Sequence, residues 1–151
     1  MRTSFLTLTF LFTLVQAQAQ AQFFSEPEEV VIAFFNAFHQ QDTLAMRELV
    51  HSRIKMQSLG VKNEEVRLST NTFEDFLKSI ASIPENMVFE ERILDYKTES
   101  DGLMANVWTP YEFYINEELS HCGVNSFQML LEEGRWKIFY IVDTRRREGC
   151  E

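Results

Sequence analysis

Two spacings of apolar residues divide this chain. From Ser25 to Pro84 they recur mainly at helical intervals, with one alternating stretch between; from Val88 onward they recur at every second position. Ser25-Glu26-Pro27-Glu28 predicts a helix start: Ser25 as cap, Glu28 completing a capping box, Pro27 in the first turn. Val31, Phe34, Phe35 and Phe38 then fall on one helical face. Asp42 predicts the cap of a second helix with Met46, Leu49 and Val50 inward and His51 at its end. Arg53 to Leu59 and Val66 to Leu68 alternate around a Gly60–Glu64 turn and read as a short hairpin. Thr72 opens a third helix carrying Phe73, Phe76, Leu77 and Ile80, and Pro84 ends it.

Four strands follow in the same reading: Val88 to Thr98, Leu103 to Ile115, Ser120 to Glu132 and Arg135 to Arg145. Helices gathered on one side of a mostly antiparallel sheet of about six strands make a cone-shaped α+β domain with an apolar pocket. With a four-residue loop at 116–119 and a two-residue loop at Glu133-Gly134, Trp108, Phe127 and Tyr140 share the face that packs on the helices. Asn125, Tyr114 and His121 lie toward the far end of that stripe. The other face takes Tyr111, Ile141 and Asp143 in this register, and a slip of one residue exchanges the two faces. Because the second face is still half apolar, a homodimer pairing such faces is expected.

The first 21 residues read as a separate element. Arg2 precedes the apolar run Phe5 to Val15, and Ala17-Gln18-Ala19 and Ala19-Gln20-Ala21 fit small-x-small cleavage sites. The expectation is a cleaved signal peptide, 1–21, followed by one domain over 22–151, exported to the periplasm, with no membrane attachment after cleavage. The formal net charge of −9 disfavours a nucleic-acid or anionic-membrane partner.

The layout, the Phe-rich first helix and the segment WTPYEFYINEELSHCGVNSFQMLLEEGRWKIFYIVDTRRREGC resemble the nuclear-transport-factor-2-like superfamily. The likeness is to its SnoaL-like and small secreted bacterial members, carried most by Ser120-His121-Cys122-Gly123, Gly134-Arg135-Trp136-Lys137-Ile138 and Asp143-Thr144-Arg145-Arg146. The resemblance implies a curved sheet wrapped on helices, often dimeric, with a pocket at the open end of the cone. Members include isomerases, dehydratases and binding proteins, and fold alone does not choose among them.

The favoured expectation is a small apolar or aromatic molecule bound without catalysis. Phe34, Phe38, Trp108, Phe127 and Tyr140 would form walls, with Tyr114, His121 and Asn125 orienting the ligand. The alternatives are an isomerase or dehydratase and a ligand-free dimeric interaction module. The enzyme would use His121 or Asp143 (or Asp95) with a tyrosine such as Tyr111, because carbonyl chemistry needs an acid/base group beside a hydrogen-bond donor. No cofactor is called for, and His51, His121 and Cys122 lack any metal-ligand spacing. Cys122 and Cys150 are reactive thiols or, by preference, a structural disulfide. Cys122 opposes Arg145 in this register, so an extended tail would leave the cysteines about 16 Å apart. A disulfide requires the tail to turn back, which Gly149 permits.

Overall fold

A computed structural model describes residues 24–150, so the signal-peptide expectation lies outside the described residues. Three helices, α1 (Pro27–His39), α2 (Thr43–Leu49) and α3 (Phe73–Ala81), pack on one face of a seven-stranded sheet. The strands are β1 (Val50–Lys62), β2 (Glu65–Asn71), β3 (Phe89–Ile93), β4 (Lys97–Ser100), β5 (Met104–Ile115), β6 (Glu118–Glu132) and β7 (Arg135–Arg145). Their order is β2-β1-β7-β6-β5-β3, with β4 also on β5, and all pairings are antiparallel except β1 with β7. The sheet has seven strands rather than six because the stretch from Val88 to Thr98 breaks at 94–96 into β3 and β4. No helix among the described residues is long and apolar enough to cross a membrane.

The helix starts follow local capping chemistry, shifted by one residue in α1. Glu26, not Ser25, is the cap, and the Glu29 carboxylate accepts the Ser25 and Glu26 amides at 3.0 and 3.3 Å. Asp42 and Thr72 cap α2 and α3 through the amides of Ala45 and Asp75. The chain turns from α2 into β1 at Val50, so His51 is a strand residue, with its Nε2 3.6 Å from Glu132. Val31, Phe34, Phe35 and Phe38 of α1 are all buried. They meet Phe127, Met129, Ile138 and Ile141 in one core.

The register differs from the expected one, and the cause is local. Asn116 and Glu117 both take positive φ (50° and 67°), which closes a two-residue turn where four residues were expected. That moves the β5–β6 pairing by two positions. A bulge beside Phe113/Tyr114 restores one. In β6–β7 the Glu133-Gly134 turn is as expected and Met129 pairs with Ile138, but a bulge then pairs Gln128 with Tyr140. β6 therefore keeps its expected facing, whereas β5 and the end of β7 are turned over. Phe127 pairs with Val107 and Ile141, and points into the core. Trp108 opposes Ser126, and Tyr140 opposes Gln128, on the outer face. The expected ladder of Trp108, Phe127 and Tyr140 is split between opposite sides of the sheet.

Candidate functional site

The inner face of the sheet and helices α1 and α3 enclose a cavity of about 380 Å³. Its wall is aromatic: Phe34, Phe35 and Phe38 from α1, Phe76 from α3, Phe113 from β5 and Phe127 from β6. Phe127 sits edge-on to Phe34 and Phe35, at centroid distances of 5.9 and 5.5 Å. Polar groups converge at the sheet end: Ser58, Glu91, Tyr111, His121, Asn125, Asp143 and Arg145. An apolar wall facing convergent polar groups is the usual make-up of a small-molecule site.

Glu91 is the central group. It shares the inward parity of β3 with Phe89 and Ile93. Burial is the main reason its carboxyl is pushed up to about 7, and the nearby Asp143 adds to it. Two groups oppose that rise: Asn125, which donates Nδ2–H to Glu91 Oε1 at 2.7 Å, and Arg145. Asn125 also reaches Thr109 Oγ1 at 3.3 Å. Asp143 is already engaged, accepting from Arg145 Nε at 2.8 Å and from the Ser58 hydroxyl.

Tyr111 lines the pocket, but its hydroxyl donates to the Thr144 carbonyl at 3.0 Å. Burial and then the carboxylates of Glu91 and Asp143 raise its pKa, so the phenol keeps its proton. Thr144 comes this close because residue 123 is glycine. A Cβ there would stand 1.8 Å from the Thr144 carbonyl oxygen and 2.9 Å from the Tyr111 ring. His121 stacks on Phe113 at 4.9 Å and meets Tyr111 edge-on at 5.8 Å. Burial, then Arg145, lowers its pKa, which favours a neutral imidazole.

Of the residues expected from sequence, Phe34, Phe38, Phe127, His121 and Asn125 line this cavity. Trp108, Tyr140 and Tyr114 do not. Trp108 is 45% exposed on the outer face. There too the Tyr140 hydroxyl bonds Gln57, and Tyr114 donates to Glu112 at 2.7 Å beneath the Arg92 guanidinium. Asp143 and Tyr111, expected away from the pocket, lie in it because the bulges turn β5 and the end of β7 inward. Asp95 lies between β3 and β4 and is exposed. Glu91 is the residue missed from sequence, although a lone acid at the shared parity of Phe89 and Ile93 was a readable signal.

The cysteines are joined, with Cα atoms 5.7 Å apart. Arg146 pairs with Cys122 through both backbone bonds, and Gly149, at φ 66°, turns the tail back. A wider depression of about 690 Å³ lies beyond α1; its polar residues Glu29, Asn36, Gln40, Asp42, Glu48 and Arg135 are exposed and Lys137 is half-buried. It lacks the inward-facing acids, Glu91 and Asp143, that distinguish the inner cavity. Among the described residues no group of three His, Cys, Asp or Glu is placed to hold a metal ion.

A helical layer over an open, mostly antiparallel sheet, with a pocket between them that holds an inward-facing carboxyl, is the class this geometry defines. No protein-family model and no curated protein matches the sequence. Solved structures do match. A nuclear-transport-factor-2-like protein from Cytophaga hutchinsonii superposes on 79% of this chain and 94% of its own, at 15% identity and TM-score 0.60. A protein from Streptomyces avermitilis proposed to be a dehydratase of the same family covers 79% and 92%, at 14% identity and TM-score 0.59. One from Shewanella frigidimarina proposed to be a ketosteroid isomerase covers 78% and 93%, at 11% identity and TM-score 0.56. The chain has the nuclear-transport-factor-2-like fold.

Proposed function

We propose that this protein is a proton-transfer enzyme of the isomerase or dehydratase type, acting on a small, largely apolar molecule held in the inner cavity. The observation that carries the reading is the Glu91 carboxyl, which lines the same cavity as six phenylalanine rings and is fixed by Asn125. An acid that titrates near 7 can both take and return a proton at neutral pH. Glu91 is the acid/base group, Asn125 orients it, and neutral His121 is the donor available to a substrate oxygen. Tyr111 is not assigned that part, since its hydroxyl proton is given to Thr144.

Binding without catalysis is the second reading. It is favoured by the engagement of Tyr111 with Thr144 and of Asp143 with Arg145 and Ser58, which leaves few free groups at the floor. One experiment separates the two: small cyclic ketones and enones incubated with the protein in deuterated water, with exchange at the α-carbon followed by NMR. The enzyme reading expects exchange that falls by about 100-fold or more in Glu91→Gln, with ligand binding kept. Binding with no exchange in either protein would leave the second reading standing.

We also infer export and self-association. The apolar run Phe5 to Val15 with its small-residue cleavage sites supports export to the periplasm after removal of residues 1–21. The outer sheet face supports a homodimer. Trp108, Met104, Leu68 and Val66 are exposed there around a neutral network in which Ser126 and Gln128 bond Asn106.

A further inference from the structure

α1 ends on His39, whose ring lies among Phe35, Phe38 and Phe89 at centroid distances of 6.4, 5.4 and 6.3 Å. Its Nε2 accepts the backbone N–H of Glu91 at 2.9 Å. β3 is the edge of the sheet in this region and pairs with β5 alone. The Glu91 amide therefore has a helix side chain as its acceptor instead of a neighbouring strand. A nitrogen that accepts carries no proton, so this contact requires neutral imidazole with its hydrogen on Nδ1. Burial favours that form, while Glu90, the charged group whose field reaches the ring, works against it.

We propose that His39 is the positioning residue of the pocket acid: it ties the edge strand to the end of α1 and so sets how deep the Glu91 carboxyl sits. Glu91 is then held at two points from two directions. Asn125 of β6 holds the carboxyl, and His39 of α1 holds the backbone. Without the second tie, an edge strand paired on one side can draw away from the helix and let the carboxyl reach water.

This inference rests on Glu91 being the acid/base group of the site, and the test treats the two claims separately. The Glu91 carboxyl carbon is titrated by NMR in the wild-type chain, His39→Gln and His39→Phe. Gln keeps an acceptor in reach of the amide; Phe keeps the ring and removes the acceptor. Expected are a midpoint near 7 in the wild type, little change in His39→Gln, and a fall toward about 4.3, the value of a glutamate in water, in His39→Phe. If all three proteins titrate near 7, His39 does not position Glu91 and the proposal is overturned, while the acid keeps its role. A wild-type midpoint near 4.3 would instead overturn the reading of Glu91 and this inference with it. Should His39→Phe not fold, His39→Ala supplies the acceptor-free comparison, with the same two outcomes.

Discussion

The Asn125 side chain on β6 reaches over β5 to donate to the Glu91 carboxyl on β3, at 2.7 Å. This bond crosses an intervening strand inside an apolar cavity, so it joins sheet geometry to the ionisation of one acid. In the folded chain Glu91 holds its proton to about 7, against 4.5 for the unperturbed group. Between those values the folded state binds a proton that the unfolded state has lost, so stability falls as pH rises through the window. The loss amounts to about 3 kcal/mol by pH 8. Glu91→Gln, which retains an acceptor for Asn125, should abolish that slope and be the more stable protein at pH 8. Urea unfolding at pH 5 and pH 8 measures both effects.

Asn125→Leu should act in the opposite sense. It removes the one hydrogen bond that favours the charged form, so the Glu91 midpoint should move further above 7. Leaving this half-buried acceptor without its donor should cost about 1 kcal/mol or more at pH 8. An unmoved NMR midpoint would show that the bond does not form in solution.

The two faces of the sheet should respond very differently to aromatic truncation. Phe127 is 1% exposed in the core, and Phe127→Ala should cost about 3–5 kcal/mol. Trp108 is 45% exposed, and in a monomer Trp108→Ala should change stability by about 0.5 kcal/mol or less. Sedimentation should find the wild type dimeric and Trp108→Glu monomeric, since a charge would then be buried at the contact.

Gly123→Ala should be destabilising out of proportion to one methyl group. The new Cβ meets a carbonyl oxygen, not the end of a flexible side chain, so a strand must move. A cost of about 1–3 kcal/mol is expected, with loss of the Tyr111–Thr144 hydrogen bond. Thermal unfolding, with tyrosine absorbance titrated alongside, would report both.

The Cys122–Cys150 bond closes a loop with a sequence separation of 28. Cys150→Ser should cost about 3 kcal/mol by freeing the unfolded chain. Intact mass with and without reductant shows whether the bond is present, and denaturation of the two forms gives its contribution.

The helices were legible because each carries its own instructions: the Asp42 and Thr72 caps, and the Phe34, Phe35, Phe38 face. β6 was legible too, since Phe127 and Met129 point inward in either register. What failed was the facing of β5 and of β7 beyond Ile138. A single extra residue at each bulge, and a turn two residues shorter than expected, depend on how strands meet and leave little mark on apolar alternation. That exchange put Trp108 and Tyr140 outside and brought Asp143 and Tyr111 in. Glu91 escaped notice because two adjacent glutamates in a short strand look like solvated surface, and only the parity of Phe89 and Ile93 said otherwise.

The parallel union of β1 with β7 joins residues 55–60 to residues 140–145, across a large part of the domain. The sheet is therefore not complete until these distant segments have met, and only then do Ile138 and Ile141 of β7 join the core around the phenylalanines of α1. Pairings so distant in sequence form late and slowly. A core left open while that contact forms is an aggregation hazard, so folding of this domain should gain from a chaperone that shields its apolar face.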